Sequence, residues 1–149
     1  MKLRQNKFRE ANFKIENTTK FEMEDNSLEQ VYSFDITNTP SNLTKNQFSK
    51  NEEKECQKFQ MKFSSGDDTL MKDNKIGNGS LEFSNIRNIS ISGLMTEKVI
   101  LDVNDATSMF MQNLTLIDSK LQFSNVINSF ELDDVSFLGN QILKIQKCK

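Results

Sequence analysis

The sequence predicts an all-β fold, a right-handed parallel β-helix with coils of about 20–22 residues. Two observations lead to this prediction, an internal repeat in the second half and a small apolar fraction. Hydrophobic residues make up 36% of the 149 residues, whereas globular domains contain roughly 45–50% when Gly is included. A solenoid tolerates such a composition, because each coil encloses only a thin row of side chains.

The repeat lies in residues 79–148. The hexapeptide Leu-Glu-Phe-Ser-Asn-Ile at 81–86 recurs in related form at 101–106 and 121–126, and a partial fourth copy begins at Leu143. The copies start 20, 20 and 22 residues apart. Each begins with apolar-polar-apolar alternation, the period of a half-buried strand. A unit this short cannot bury its apolar face alone, so the copies are expected to stack.

A second alternating segment follows in each unit, at residues 88–91, 113–116 and 134–137. Its pattern is Asn or Asp, apolar, Ser or Thr, apolar, and we interpret the three segments as equivalent strands. Short polar corners such as Ser92-Gly93 and Gly139-Asn140 join the strands. Asn85 and Asn125 occupy equivalent corners, where Asn tolerates left-handed backbone and can form a ladder of amide side chains.

The first half repeats the apolar-polar-apolar triplet less regularly, for example at Phe21-Glu22-Met23. Pro40 and the charged run at 51–58 favour an insertion between coils. The predicted organisation is possible N-terminal coils over 1–37, a polar insertion or loop over 38–58, and coils over 59–149, with units near 81–100, 101–120 and 121–142 and a partial unit at 143–149.

Two other folds compete with this interpretation. Leucine-rich repeats have units of similar length, but they need Leu-x-x-Leu-x-Leu followed by Asn or Cys, and here the spacing is Leu-x-Phe without a helical half. An antiparallel sandwich remains the alternative in which the similarity between the copies is accidental.

Composition argues against several classes of protein. The net charge is −2, with 19 basic and 21 acidic residues intermixed, so the basic stripe of a nucleic-acid-binding protein is missing. No apolar run reaches the length of a membrane span, and the N-terminal residues lack the apolar region of a signal peptide. We expect an extracellular or cell-surface location if the chain belongs to a longer exported protein, and an intracellular one otherwise. Cys56 and Cys148 are either two free thiols or a single bridge.

No catalytic residue, metal ligand or cofactor is predicted. The chain has no His, so a Ser or Cys nucleophile lacks an imidazole base. Asp133 and Asp134 are adjacent on a strand and point to opposite faces, so they do not converge for acid–base catalysis. Asp67, Asp68 and Asp73 lack the spacing of a calcium loop and are expected in solvated turns.

Five Asn-x-Ser/Thr sequons are the candidate modification sites, at Asn17, Asn42, Asn78, Asn88 and Asn113. Asn88 and Asn113 fall at matching positions of the repeat as we align it, so the repeat itself accounts for these two. Glycosylation further requires a secretory route.

The unit from Leu121 to Asn140 resembles coils of the pectin-lyase-like right-handed β-helix family. Its Phe137-Leu138-Gly139-Asn140 phrase is similar to the Phe-x-x-Asn phrase of β-helical surface proteins, and the background rich in Asn, Lys and Phe resembles β-helical proteins of ciliated protozoa. The family includes pectinases and lyases, which implies an acidic polysaccharide groove, as well as adhesins and structural spikes. Of the pectinase elements (Asn-Thr-Asp, an Asp pair and Gly-His), this chain has only an Asp pair.

These observations predict a non-enzymatic structural or interaction module that presents a solenoid surface to protein or glycan partners. No polar cap follows the last coil, so end-to-end docking through that open coil is the most specific mode of binding expected. The alternatives are a carbohydrate-active enzyme of the same fold and a fragment of a large surface protein without independent activity.

Overall fold

The computed structural model describes residues 1–49 and 59–146, which form a parallel β-solenoid of about seven turns with about 20 residues each. This confirms the predicted fold class, and the described residues contain no helix. The strands are β1 Lys2–Arg4, β2 Lys7–Arg9, β3 Phe13–Glu16, β4 Phe21–Glu24, β5 Ser27–Glu29, β6 Ser33–Thr37, β7 Ser41–Thr44, β8 Gln47–Ser49, β9 Phe59–Ser64, β10 Asp68–Lys72, β11 Lys75–Ser92, β12 Met95–Ile117, β13 Lys120–Leu138 and β14 Ile142–Gln146.

The coils have three faces, and every pairing between the described strands is parallel, which excludes the antiparallel sandwich. Face A contains β1, β4, β7, β10 and residues 88–92, 108–112 and 129–133. Face B contains β2, β5, β8 and residues 75–77, 95–97, 115–117 and 136–138. Face C contains β3, β6, β9, residues 79–84, 99–104 and 120–124, and β14.

The register stacks apolar side chains into continuous inner rows. One row on face C is Phe13, Phe34, Met61, Leu81, Leu101, Leu121 and Leu143, and the next is Ile15, Ile36, Phe63, Phe83, Val103, Phe123 and Ile145. The predicted repeat copies are therefore stacked directly on one another. The Phe63 and Phe83 rings stack with centroids 4.9 Å apart, a contact that adds about 0.5–1.5 kcal/mol beyond area burial.

Each corner within the described residues contains a residue in the left-handed region. Positive φ occurs between faces A and B at Gln5, Asp25, Lys45, Asp73, Gly93, Asn113 and Asp134, between B and C at Glu10, Gln30, Asn78, Lys98, Asp118 and Gly139, and between C and A at Asn17, Asn38, Ser65, Asn85, Asp105 and Asn125. Asn and Asp adopt this conformation more readily than most residues. The expectation of left-handed backbone at Asn85 and Asn125 is confirmed, with φ of 54° and 55°, but the expected ladder of amides between them is not. The residue between them in the stack is Asp105, which accepts a 2.9 Å hydrogen bond from Asn125 Nδ2.

The continuous ladder of amide side chains lies at a different corner, and the sequence analysis missed it. Asn6, Asn26, Asn46 and Asn74 each follow the bend between faces A and B. The backbone N–H of each of the first three donates to the Oδ1 of the next Asn, at 2.9, 3.0 and 2.9 Å. The Nδ2 groups of Asn26, Asn46 and Asn74 donate to the carbonyls of Leu3, Met23 and Leu43. These buried amides are thus satisfied by hydrogen bonds, as buried polar groups must be.

One predicted equivalence is wrong. Asn88 pairs with Ser108 and Ile91 with Met111 on face A, so segment 88–91 does not match 113–116. Segment 113–116 instead matches 134–137, with Leu114 opposite Val135. The two segments share a sequence pattern, but they occupy different sides of the coil, because their 25-residue separation exceeds the 20-residue offset between stacked partners.

The polar segment 38–58 also differs from the expectation of an insertion. Its β7 and β8 belong to the third coil and pair with β4 and β5. Polar residues occupy inward positions here, since Ser41 is 5% and Asn46 1% exposed, and this conceals the strand alternation in the sequence. Residues 50–58 of the predicted insertion, including Cys56, lie outside the described residues, as does Cys148.

Candidate functional site

The outward surface of the solenoid is formed by columns of side chains, one residue per coil. Shallow depressions interrupt it where the structure describes the chain. One of about 180 Å³ lies on face A among Lys2, Glu22, Glu24, Asn42 and Thr44. Another, of about 230 Å³, lies on face B around Gly77 and is bordered by Ser49, Asn78, Met95, Glu97 and Ile117. Neither has the enclosed apolar character of a small-molecule site.

The first two coils carry opposite charge. Residues 1–20 contain six basic and two acidic side chains, whereas residues 21–40 contain five acidic side chains and no basic one. The columns bring them together as ion pairs, with Lys2–Glu22 at 3.6 Å, Arg4–Glu24 at 3.1 Å and Lys7–Glu29 at 2.9 Å. Such exposed pairs contribute little to stability, because solvent and salt screen them.

One of these carboxylates is held in its ionised form by a second lysine. Lys20 hydrogen-bonds Glu22 at 2.6 Å, and this bond together with the charge of Lys20 lowers the pKa of the Glu22 carboxyl below its ordinary value. Coil 1 thus presents a row of cations that is ordered by the acidic side chains of coil 2.

A pair of carboxylates on face C is the arrangement closest to acid–base chemistry. Glu82 and Asp102 are direct partners on adjacent coils, and Glu82 accepts hydrogen bonds from Gln60 and Ser80 at 3.2 and 3.4 Å. Burial raises the pKa of the Asp102 carboxyl above its ordinary value of 3.8, and the charge of Glu82 raises it further. This pair was not predicted from the sequence, although both residues hold the second position of the hexapeptide repeat and are 20 residues apart.

The other acidic candidates are dispersed. Asp133 lies on face A opposite Gln112, and Asp134 forms the next corner. Asp67 pairs with Arg87 at 3.3 Å, and Asp68 accepts a 2.7 Å hydrogen bond from Asn88. Within residues 1–49 and 59–146, no group of three or more Cys, Asp or Glu side chains is placed to hold a metal ion.

The five sequon asparagines occupy different environments. Asn17 lies at an exposed corner and accepts a 2.8 Å hydrogen bond from Asn38. Asn42 is half-buried on face A, and Asn78 is half-buried at a corner. Asn88 is exposed on face A and Asn113 is exposed at the corner between faces A and B. Asn88 and Asn113 are therefore not equivalent positions of the coil, contrary to the expectation from the sequence.

The last coil leaves its inner rows uncovered in the part of the chain that the structure describes. Phe137, Leu143 and Ile145, which we call the C-terminal edge, are 38%, 47% and 50% exposed. Leu121 and Phe123, the residues stacked directly below Leu143 and Ile145, are 0% and 2% exposed. An apolar row that ends in solvent on the last strand of a stack is the surface of a solenoid most prone to associate with another strand.

Comparison of the chain with protein-family models, with curated proteins and with solved structures finds no match. Within the described residues there is no helix with the length and hydropathy of a membrane span.

Proposed function

We propose that the chain is a non-enzymatic structural or interaction module that binds protein or glycan partners through its solenoid surface. The observation that carries this proposal is the C-terminal edge, three inner-row apolar side chains that are between 38% and 50% exposed. They lie along the last strands of a parallel stack, where an added strand gains backbone hydrogen bonds and covers the apolar row. The edge is thus suited to docking another β-strand surface.

A fluorescent dye that brightens in apolar surroundings tests whether this edge is accessible. The dilute protein should bind the dye, and Leu143→Lys/Ile145→Lys should lose most of the signal. Ile127→Lys is the matched control, because Ile127 is 61% exposed but lies outside the edge. Equal dye binding by the wild type and the double variant is the result that contradicts the docking proposal.

We also propose a family relation, which is a more specific claim than the docking function. Stacked parallel faces and coils of about 20 residues support a relation to the pectin-lyase-like β-helix and to β-helical surface proteins. A cell-surface role predicts glycosylation at the exposed sequons Asn17, Asn88 and Asn113. The intact mass of the native protein should then exceed 17.2 kDa and fall on glycosidase treatment. An unchanged mass of 17.2 kDa speaks against glycosylation.

A carbohydrate-active enzyme is the second candidate, and the Glu82–Asp102 pair favours it. A carboxyl with a raised pKa beside a second carboxyl group is an arrangement that general acid–base catalysis uses. We expect no turnover of acidic polysaccharides in reducing-sugar and unsaturated-product assays, because the pair lines neither depression. Turnover that Asp102→Asn abolishes and Asp133→Asn preserves would replace the first proposal with this one.

A further inference from the structure

Face A carries opposite charge in the first and last coils. Residues 1–20 have six basic and two acidic side chains, whereas residues 129–134, on face A and the next corner of the last coil (coil 7), have three acidic and no basic ones. Over residues 129–149 as a whole, three acidic and three basic side chains balance. Both coils lie at an open end of the described stack. Complementary charge at the two ends of one chain favours association of one end with the other.

The inner rows of the two ends are also complementary. If coil 1 of a second copy continued the register of coil 7, each row would gain its next member. Leu132 would meet Leu3, Phe137 would meet Phe8, Leu143 would meet Phe13, and Ile145 would meet Ile15. Leu3, Phe8 and Phe13 are only partly buried in the single chain. Every one of these pairs joins two apolar side chains.

The outward columns add charge pairs on face A. The same register places Glu131 beside Lys2 and Asp133 beside Arg4. In the single chain, Lys2 and Arg4 already bind the acidic residues of coil 2 in these columns, at 3.6 and 3.1 Å. A second acidic neighbour on the open side would repeat that arrangement.

The amide ladder has an open end at coil 1 as well. In each step of the ladder a backbone N–H donates to the Oδ1 of the Asn in the next coil, as from Asn6 to Asn26. The register places the Val135 N–H opposite Asn6 Oδ1 of the second copy, so one more step can form. On face C the register brings Lys144 beside Lys14, a repulsive pair, although Lys14 is bound to Glu16 at 3.0 Å in its own coil.

We infer that the partner of the C-terminal edge is coil 1 of a second copy, so that chains stack head to tail. This inference rests on the proposed docking function and names its partner. The contact is heterologous, because two different surfaces meet, and it therefore leaves a free coil 1 and a free coil 7 for further copies. Pairing of two coil 1 ends is disfavoured, since two copies would bring together twelve basic side chains.

Sedimentation of the intact chain over a range of protein and salt concentrations tests the inference. We expect species larger than dimers that grow with protein concentration and dissociate as salt rises, because the charge pairs are exposed and screened. Glu131→Lys/Asp133→Lys should weaken association about tenfold, since two attractive pairs become repulsive. Lys144→Glu should strengthen it severalfold, because it converts the one repulsive pair.

Glu97→Lys/Asp105→Lys is the matched control, with the same change of net charge in the middle of the stack. It should associate like the wild type. The inference is overturned if the chain stays monomeric at all concentrations. It is also overturned if the two double variants weaken association equally. A monomer that still binds the apolar dye through its edge keeps the docking function but not the head-to-tail partner, whereas a monomer that binds no dye overturns both.

Discussion

Coils 1–4 and coils 5–7 differ in the residue type that follows the bend between faces A and B. After the bend between faces A and B, the first four coils place Asn6, Asn26, Asn46 and Asn74, and the last three place Leu94, Leu114 and Val135. Both sets follow a residue with positive φ, and Leu94 and Leu114 are each 1% exposed, like Asn46 and Asn74. The residue with positive φ therefore makes the bend. The residue after it can be an Asn whose amide is hydrogen-bonded or an apolar residue that packs into the core.

The two regions also differ in strand length. The strands of coils 1–3 have three to six residues, whereas β11 and β12 have 18 and 23 and run through the corners. Partners from coil 4 to coil 5 are offset by a constant 20 residues. In the early coils the offset on face C changes from 21 between Phe13 and Phe34 to 27 between Phe34 and Met61. Coils of equal length superimpose their corners, so backbone pairing continues around the bend.

The largest effect is expected where the two regions are alike. Phe34 in coil 2 and Phe123 in coil 6 are both buried in face C rows, so each Phe→Ala change should lower the free energy of unfolding by about 3–5 kcal/mol through cavity formation. Urea unfolding of the two variants measures it. If one change costs at least twice as much as the other, the rows are not equivalent in the two regions.

Breaking the amide ladder should have the next largest effect. Asn46→Leu removes the acceptor of the Asn26 N–H and the donor to the Met23 carbonyl, which leaves buried polar groups unpaired at about 1–3 kcal/mol each. Urea unfolding should show a loss of about 3 kcal/mol. The triple change of Asn26, Asn46 and Asn74 to Leu should cost less per site, because the side-chain bonds between successive amides then lose both partners together. Strictly additive costs would show that the ladder does not act as a unit.

Gly93 marks the first corner of the apolar region and predicts a smaller effect. Its φ is +62°, and a Cβ at this position would collide with Asp73 Oδ1. Gly93→Ala should therefore lower the free energy of unfolding by about 1 kcal/mol, the cost of a left-handed backbone for Ala. Gly77→Ala is the control, since a Cβ there meets nothing within 4 Å. A thermal melt in which both variants lose equal stability would argue against the corner as the cause.

The pH dependence of Asp102 should give the smallest effect. Its pKa is raised in the folded chain, so folded Asp102 binds its proton more tightly than unfolded Asp102. The contribution of Asp102 to the free energy of unfolding is therefore fully present below the ordinary pKa of 3.8. It is lost as the pH rises through the raised pKa of the folded chain. Asp102→Asn should thus stabilise the protein at neutral pH and not below pH 3.8.

Glu82→Gln should do the same to a lesser degree, because it removes only the repulsion and leaves Asp102 buried. Melting temperatures of both variants across this pH range provide the measurement. An Asp102→Asn variant that is less stable than the wild type at neutral pH contradicts the assigned sign.

The repeat made much of the fold predictable. The triplets at Leu81, Leu101, Leu121 and Leu143 recur at the coil period, and a period-two pattern reports directly which side chains face inward. Corners at Asn85 and Asn125 were predictable because Asn tolerates left-handed backbone. Asn88 and Asn113 were misaligned for a related reason, since a pattern of four residues fits either of two sides of the coil.

The sequence by itself determined the class of fold, the coil period and the lack of an imidazole base, because these follow from local alternation and composition. Only the tertiary structure decided which residues share a column. It assembled Asn6, Asn26, Asn46 and Asn74 into a ladder across unequal spacings of 20 and 28 residues, and it brought Glu82 beside Asp102. Residues in one column contact each other across successive coils. Because one coil of irregular length shifts the sequence position of every later partner, these neighbours can be identified only when the pairing register between the coils is known.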